Sequence, residues 1–129
     1  MPHAVPPKPT AAELAILQVL WERGPSTVRD VHEALSDKQH TGYTTVLKLM
    51  QIMAQKGLVQ RDESRKTHIY EAKQPEERTE RQIVRDVLDR VFSGSAERLV
   101  VRALEERKVT ADELARIRKL LDEMEGDAK

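Results

Sequence analysis

The order of local signals in the first 73 residues constrains the fold more than any other feature of the sequence. Thr10–Glu13 has the capping-box pattern, in which a Thr hydroxyl and a Glu carboxylate accept from free backbone amides at a helix start. The helix that follows is predicted to end at Gly24-Pro25, and Ser26-Thr27 signals the start of a second, shorter helix. A third helix is predicted over Tyr43–Lys56, ending at Gly57.

The pattern changes after the third helix. Residues 58–62 and 67–72 are two short strand-like runs, and the turn between them, residues 63–66, is polar and basic. Together they predict a β-hairpin. Three helices followed by a hairpin is the order of a winged helix-turn-helix, so we expect a mainly α fold with a small β-hairpin wing.

The remaining part of the chain predicts three more helices. They span about residues 75–92 and 96–107, and a last helix starts at a second capping box, Thr110–Glu113. Three helices in some 55 residues bury too little surface to form a stable domain by themselves, so their apolar faces must pack against another surface. We expect residues 1–8 to be a disordered arm, 9–73 a DNA-binding domain and 74–129 a helical dimerisation domain.

The apolar positions of the C-terminal helices are the expected dimer contacts. The last helix has them at a/d heptad spacing, which favours a seam between two chains, although an intramolecular core is the alternative. The expected contacts are Val84, Val87, Leu88, Val91, Leu99, Leu114, Ile117, Leu121 and Met124.

Composition restricts the class of protein. No apolar run approaches the roughly 20 residues that span a bilayer, and the start of the chain lacks the apolar region of a secretory signal. We therefore expect a cytoplasmic protein without membrane association. The chain has no cysteine, and the four histidines (His3, His32, His40 and His68) lack metal-ligand spacing, so no metal or cofactor is expected.

The charge is unevenly distributed. The net charge is zero, but six basic and two acidic residues lie between Lys38 and Lys66. A local basic patch on a neutral chain is compatible with a DNA backbone as the partner.

Three stretches, taken together in this order, resemble the penicillinase repressor family, which includes BlaI, MecI and CopY-type regulators. They are residues 10–21, which close on Trp21; residues 43–50 with 55–59; and residues 91–95 with 99–101. The resemblance implies a winged-helix homodimer that binds inverted-repeat operators and represses genes, such as those of a β-lactamase-like or stress-response operon.

The resemblance also bears on release from DNA. Well-known members are cleaved by a regulatory protease at an Asn-Phe pair, where this chain has Arg102-Ala103, which argues against the same cleavage. The copper-responsive branch carries a cysteine motif that is absent here.

The third helix is the candidate DNA-reading element. Val46, Leu49, Met50 and Met53 have helical spacing and are expected to face the core. The residues expected to face a major groove are Tyr43, Thr44, Thr45, Lys48 and Gln51, although capping and solvation would also account for them.

In the hairpin, Arg61, Arg65 and Lys66 are the expected phosphate contacts.

Leu47 and Ile52 occupy positions that are often polar in the family. A winged-helix protein-interaction module without specific DNA binding is therefore the alternative function. An enzyme is not expected, because the sequence has no phosphate loop, Cys nucleophile or triad pattern.

Overall fold

The computed structural model describes residues 7–36 and 41–128. Most of the expected N-terminal arm and part of the connector before the third helix lie outside the described residues. The elements in chain order are α1 (Ala11–Arg23), α2 (Val28–Ser36), α3 (Tyr43–Lys56), β1 (Val59–Asp62), β2 (Ile69–Ala72), α4 (Glu76–Arg90), α5 (Ala96–Glu106) and α6 (Ala111–Ala128). This is the winged helix-turn-helix arrangement that the sequence predicts, followed by a helical C-terminal part.

Helix α1 begins, and helix α3 ends, at the residues that signal these boundaries. The Thr10 hydroxyl accepts from the Glu13 amide at 3.2 Å, and the Glu13 carboxylate accepts from the Thr10 amide at 2.9 Å, so the capping box is confirmed. Gly57 ends α3 in the left-handed conformation, with φ of 84°. Such a φ is strained for residues with a side chain, which explains the glycine.

The core of the N-terminal unit lies among α1, α2, α3 and the hairpin. From α3 it receives Val46, Met50 and Met53, which are fully buried, whereas Leu49 is half-buried at its edge. The other buried apolar residues are Ile16, Leu17, Leu20, Val28, Val31, Leu35, Leu58, Val59 and Tyr70. The face of α3 that the spacing predicted to be apolar therefore fixes this helix against the rest of the unit.

The hairpin is anchored to the turn between α1 and α2. The two antiparallel strands pair Arg61 with Tyr70 and Asp62 with Ile69. The Tyr70 amide donates to the Ser26 carbonyl at 2.8 Å, and the Ser26 amide donates to the Tyr70 carbonyl at 2.9 Å. This extra bridge, together with the buried Tyr70 ring, orients the wing relative to the helices.

Helix α4 starts on the N-terminal unit. The indole nitrogen of Trp21 donates to the Gln74 carbonyl at 2.9 Å, and Thr79 is buried. The boundary between the two compact units of the chain falls within this helix, between Val84 and Arg85.

The C-terminal unit contains the rest of α4 with α5 and α6. Ser93, in the turn before α5, has a positive φ of 50°, and Arg98 lies over the Phe92 ring at 5.7 Å. The structure describes every residue of α5 and α6, and none of them is buried. The apolar stripes of these helices therefore remain accessible in a single chain.

Membrane-spanning helices and metal clusters are both absent from the described residues. Each helix there is too short or too polar to cross a lipid bilayer. These residues also contain no group of three or more His, Asp or Glu side chains positioned to bind a metal ion.

Candidate nucleic-acid interface

The outward face of α3 presents a row of polar side chains. Tyr43, Thr44, Thr45, Lys48 and Gln51 are all exposed. The exposure of Thr44, Thr45, Lys48 and Gln51 follows from helical geometry, because the buried residues of α3 lie on the opposite side, whereas Tyr43 is exposed at the helix start. Of the two apolar residues beside this row, Leu47 is half-buried against the core and Ile52 is exposed. The face available to a partner is thus mainly polar.

The first residue of α3 is held by an aromatic contact. The rings of Tyr43 and His32 lie edge to face, with centroids 5.8 Å apart and planes at 81°. His32 belongs to α2, so this contact links the start of α3 to the preceding helix. The Tyr43 side chain nevertheless stays 45% exposed, which leaves much of it free to contact a partner.

The last turn of α3 is held by an ion pair. The Lys56 ammonium donates to the Glu13 carboxylate at 2.7 Å, and the Glu13 side chain is only 2% exposed. Burial by itself would raise the pKa of Glu13, but the hydrogen bonds from Lys56 and from the Thr10 amide outweigh it, and the pKa lies below its ordinary value. Glu13 is therefore ionised at neutral pH and ties α3 to the start of α1.

The hairpin contributes three cations with different surroundings. Arg61, on β1, is half-buried, and the Tyr70 hydroxyl and the Glu63 carboxylate accept from it and raise its pKa. The Arg61–Glu63 ion pair has an N···O distance of 3.0 Å. Arg65 and Lys66 lie exposed in the turn. The two turn residues are thus accessible to an anion, whereas Arg61 already has acceptors.

The turn itself is shaped by Asp62. Its carboxylate accepts from the Ser64 amide at 2.9 Å, and this hydrogen bond lowers the pKa of Asp62. Asp62 therefore orders the chain just before Arg65 and Lys66.

A cleft of about 340 Å³ lies between the start of α2, the side of α3 and the hairpin; we call it the wing cleft. It brings together four of the predicted site residues, Tyr43, Gln51, Arg61 and Lys66. The other lining residues are Thr27, Val28, Arg29, Leu47, Thr67, His68 and Tyr70. Thr44, Thr45, Lys48 and Arg65 do not line it.

The expected dimer contacts divide into two groups by exposure. Val84, Val91, Leu121 and Met124 are exposed, and Met124 is 67% accessible. Val87, Leu88, Leu99, Leu114 and Ile117 are half-buried. An apolar surface of this kind is unusual for residues that stay in contact with water.

Sequence reasoning missed the Glu13–Lys56 pair and the cleft residues Arg29, Thr67 and His68. Glu13 and Lys56 are 43 positions apart, so no local pattern joins them. The one local signal was the capping box, which predicts that Glu13 caps the first helix but does not predict its contact with α3. Arg29 follows a helix start directly, and its position beside the hairpin depends on the fold.

The comparisons with known proteins agree with this geometry. The family model described as penicillinase repressor matches residues 9–123. Proteins named transcriptional regulator BlaI from two Mycobacterium tuberculosis strains, CDC 1551 / Oshkosh and ATCC 25618 / H37Rv, are each 36% identical to the chain over 116 residues. Each alignment covers 88% of this chain and 83% of the relative. With three helices and a wing in the expected order, and a family match over nearly its whole length, the chain belongs to the penicillinase repressor family of transcriptional regulators and is not an enzyme.

Proposed function

We propose that this regulator is a repressor that binds inverted-repeat operator DNA as a homodimer. The observation that carries the proposal is the two-sided character of α3. One face is fully buried through Val46, Met50 and Met53, and the other exposes Thr44, Thr45, Lys48 and Gln51. A helix fixed to its domain on one side and polar on the other is suited to enter a major groove.

The exposed row on α3 provides the groups that read bases. Lys48 can donate to guanine O6 or N7, and Gln51 can pair with adenine through its amide. The Thr44 and Thr45 hydroxyls can bond to bases or phosphates, and their methyl groups can contact thymine. Tyr43 lies at the N-terminal end of the row, where its hydroxyl can reach the sugar-phosphate backbone.

The hairpin supplies the contacts that do not depend on sequence. Arg65 and Lys66 in the turn can neutralise phosphates beside the groove that α3 enters, and Arg61 on β1 can join them by exchanging Glu63 for a phosphate. Such contacts release counterions and make affinity fall with salt. They position the protein while α3 selects the sequence.

The second chain is proposed to cover the apolar stripes of the C-terminal helices. Support comes from α5 and α6, which have no buried residue among those described, and from the exposed Val91, Leu121 and Met124. We assign DNA binding to residues 9–73 and dimerisation to 74–129. The dimer would place two α3 helices on half-sites about 34–36 Å apart, or a multiple of that distance.

Repression would follow from occupation of promoter DNA in the cytoplasm, and the regulated genes would form a β-lactamase-like or stress-response operon. Family membership supports this reading. The family's cleavage pair is replaced here by Arg102 and Ala103. This difference favours release of the repressor from DNA by a mechanism other than cleavage at that pair.

Binding to a fluorescent duplex from the promoter of its own operon tests the proposal, with a random duplex as competitor. Wild type should prefer the promoter duplex by about 10³-fold or more. The Thr45→Ala/Lys48→Ala variant should lose that preference, and Lys119→Ala on α6 should keep it. Equal weak binding to both duplexes would favour a protein-interaction module, for which the exposed Ile52 would be the contact.

A further inference from the structure

The wing cleft is lined by cations and hydroxyl groups. Its charged lining residues are Arg29, Arg61 and Lys66, and His68 lies beside them. Thr27, Tyr43 and Thr67 add side chains with hydroxyl groups, whereas the hydroxyl of the buried Tyr70 already accepts from Arg61. Among the described residues that line the cleft there is neither Asp nor Glu, although acidic and basic residues are equally numerous in the whole chain. The described lining therefore holds cations without carboxylates of its own, and one of these cations, Arg61, pairs with Glu63 outside the lining.

Two of these cations are available to a ligand. Within the described part of the chain, Arg61 is paired with Glu63, whereas Arg29 and Lys66 have no carboxylate within ion-pair distance. The nearby Asp30 carboxylate accepts from the Thr27 amide at 3.1 Å as part of the cap of α2. Arg29 and Lys66 come from α2 and the hairpin turn, so the fold places two free cations on a single cleft.

The cleft also has an apolar wall. Val28 and Leu47 line it together with the ring of Tyr43. Its volume of about 340 Å³ falls within the roughly 300–1,000 Å³ that is typical of small-molecule sites. A site that combines free cations, hydroxyl groups and an apolar wall suits a ligand with an anionic group on a small organic body.

We infer that the wing cleft binds a small organic phosphate, with Arg29 and Lys66 as its anion ligands. An Arg guanidinium donates two parallel hydrogen bonds to phosphate oxygens, and a Lys ammonium adds a compact charge. Leu47 and the Tyr43 ring contact the organic part.

One part of this inference, the competition between the ligand and operator DNA, rests on the proposed function. The cleft shares Tyr43, Gln51, Arg61 and Lys66 with the proposed DNA interface, so a bound ligand and the operator compete. A phosphodiester of the DNA backbone has the same chemistry and is the other source of phosphate for the cleft. Binding of the small ligand would therefore release the repressor from DNA.

Binding of phenyl phosphate to the DNA-free protein tests the site. Amide shifts of ¹⁵N-labelled protein are followed at constant ionic strength, with phenol and inorganic phosphate as reference probes. Saturable shifts should occur at Thr27, Arg29 and Thr67, with Kd on the order of 1 mM. Arg29→Gln should weaken binding by about tenfold, as expected for a lost charge-assisted hydrogen bond, and Lys119→Gln should leave it unchanged. Absence of saturable shifts, or equal binding by Arg29→Gln, would overturn the inference.

The same probe is then added to the complex with the promoter duplex. Phenyl phosphate should weaken DNA binding in proportion to its occupancy of the cleft, and phenol should not. If DNA binding is weakened by Arg29→Gln while phenyl phosphate does not bind, the cleft serves the DNA backbone and the small-ligand site is wrong. If wild type binds no duplex, the proposed function fails, and the measurement on DNA-free protein still decides the inference about the cleft.

Discussion

The Lys56 ammonium lies 2.7 Å from the buried carboxylate of Glu13, and this ion pair joins the last turn of α3 to the first turn of α1. Glu13 also accepts from the Thr10 amide, so a single carboxylate caps one helix and holds another. Because α3 carries the proposed base-reading residues, the pair helps to fix the helix on which they lie.

Removal of Lys56 should destabilise the N-terminal unit. Lys56→Met leaves the buried Glu13 carboxylate without its cation, and we expect a loss of about 2 kcal/mol in the free energy of unfolding. Lys48→Met, on the exposed face of the same helix, should change it by less than about 0.5 kcal/mol. Urea unfolding at pH 7 and one protein concentration measures both variants, and equal stability of the two would show that the ion pair contributes nothing.

Acid should weaken the same contact. The pKa of Glu13 is lower in the folded state than its ordinary value of 4.5, so ionised Glu13 favours the folded state above that pH. This stability is lost as pH falls through the folded-state pKa. Glu13→Gln should therefore be less stable than wild type at pH 7, and the difference should shrink below about pH 4.5. A difference between the urea midpoints that stays constant from neutral to acid pH would contradict this assignment.

Substitution of two lysines should distinguish the residues that recognise bases from the residues that bind phosphates. Lys48→Ala on α3 should reduce the preference for the operator over a random duplex by about 1–3 kcal/mol for each half-site. Lys66→Ala in the hairpin should instead weaken binding to both duplexes and lower the magnitude of the salt slope by about 0.9 for each half-site, or about 1.8 for the dimer. Fluorescence anisotropy at several salt concentrations distinguishes the two effects. If both variants change preference and slope alike, the proposed division of roles between α3 and the wing is wrong.

The apolar stripe of α6 should hold the dimer. Leu121→Asp places a charge in the proposed seam and should shift sedimentation from dimer to monomer, because an unpaired charge in a desolvated contact is costly. Lys119→Gln changes the charge by the same amount outside the a/d positions and should leave the dimer intact. A Leu121→Asp variant that sediments like wild type would place the contact elsewhere.

Local signals in the sequence predicted much of the fold. The capping box at Thr10, the left-handed Gly57 and the apolar spacing of α3 act over a few residues, so each could be read directly and each is confirmed. The predicted runs at 58–62 and 67–72 contain the two observed strands, Val59–Asp62 and Ile69–Ala72.

Contacts between distant residues could not be predicted in the same way. Glu13 meets Lys56, Ser26 pairs with Tyr70, and Trp21 donates to Gln74 across 53 positions. Each depends on the packing of whole elements. The wing cleft has the same origin, because α2, α3 and the hairpin each contribute only part of its lining.

Selection from a library of random duplexes tests most directly whether the protein reads a symmetric operator, since the selection works without a chosen operator sequence. The 129-residue chain is incubated with the library at physiological salt, and the bound duplexes are sequenced over successive rounds. The proposed dimer with two α3 helices predicts enrichment of an inverted repeat, with half-site centres about one helical turn apart or a multiple of it. Enrichment should disappear for Thr45→Ala/Lys48→Ala and persist for Lys119→Ala. Recovery of a library with no enriched sequence, or of single half-sites without symmetry, would contradict the proposed dimeric repressor.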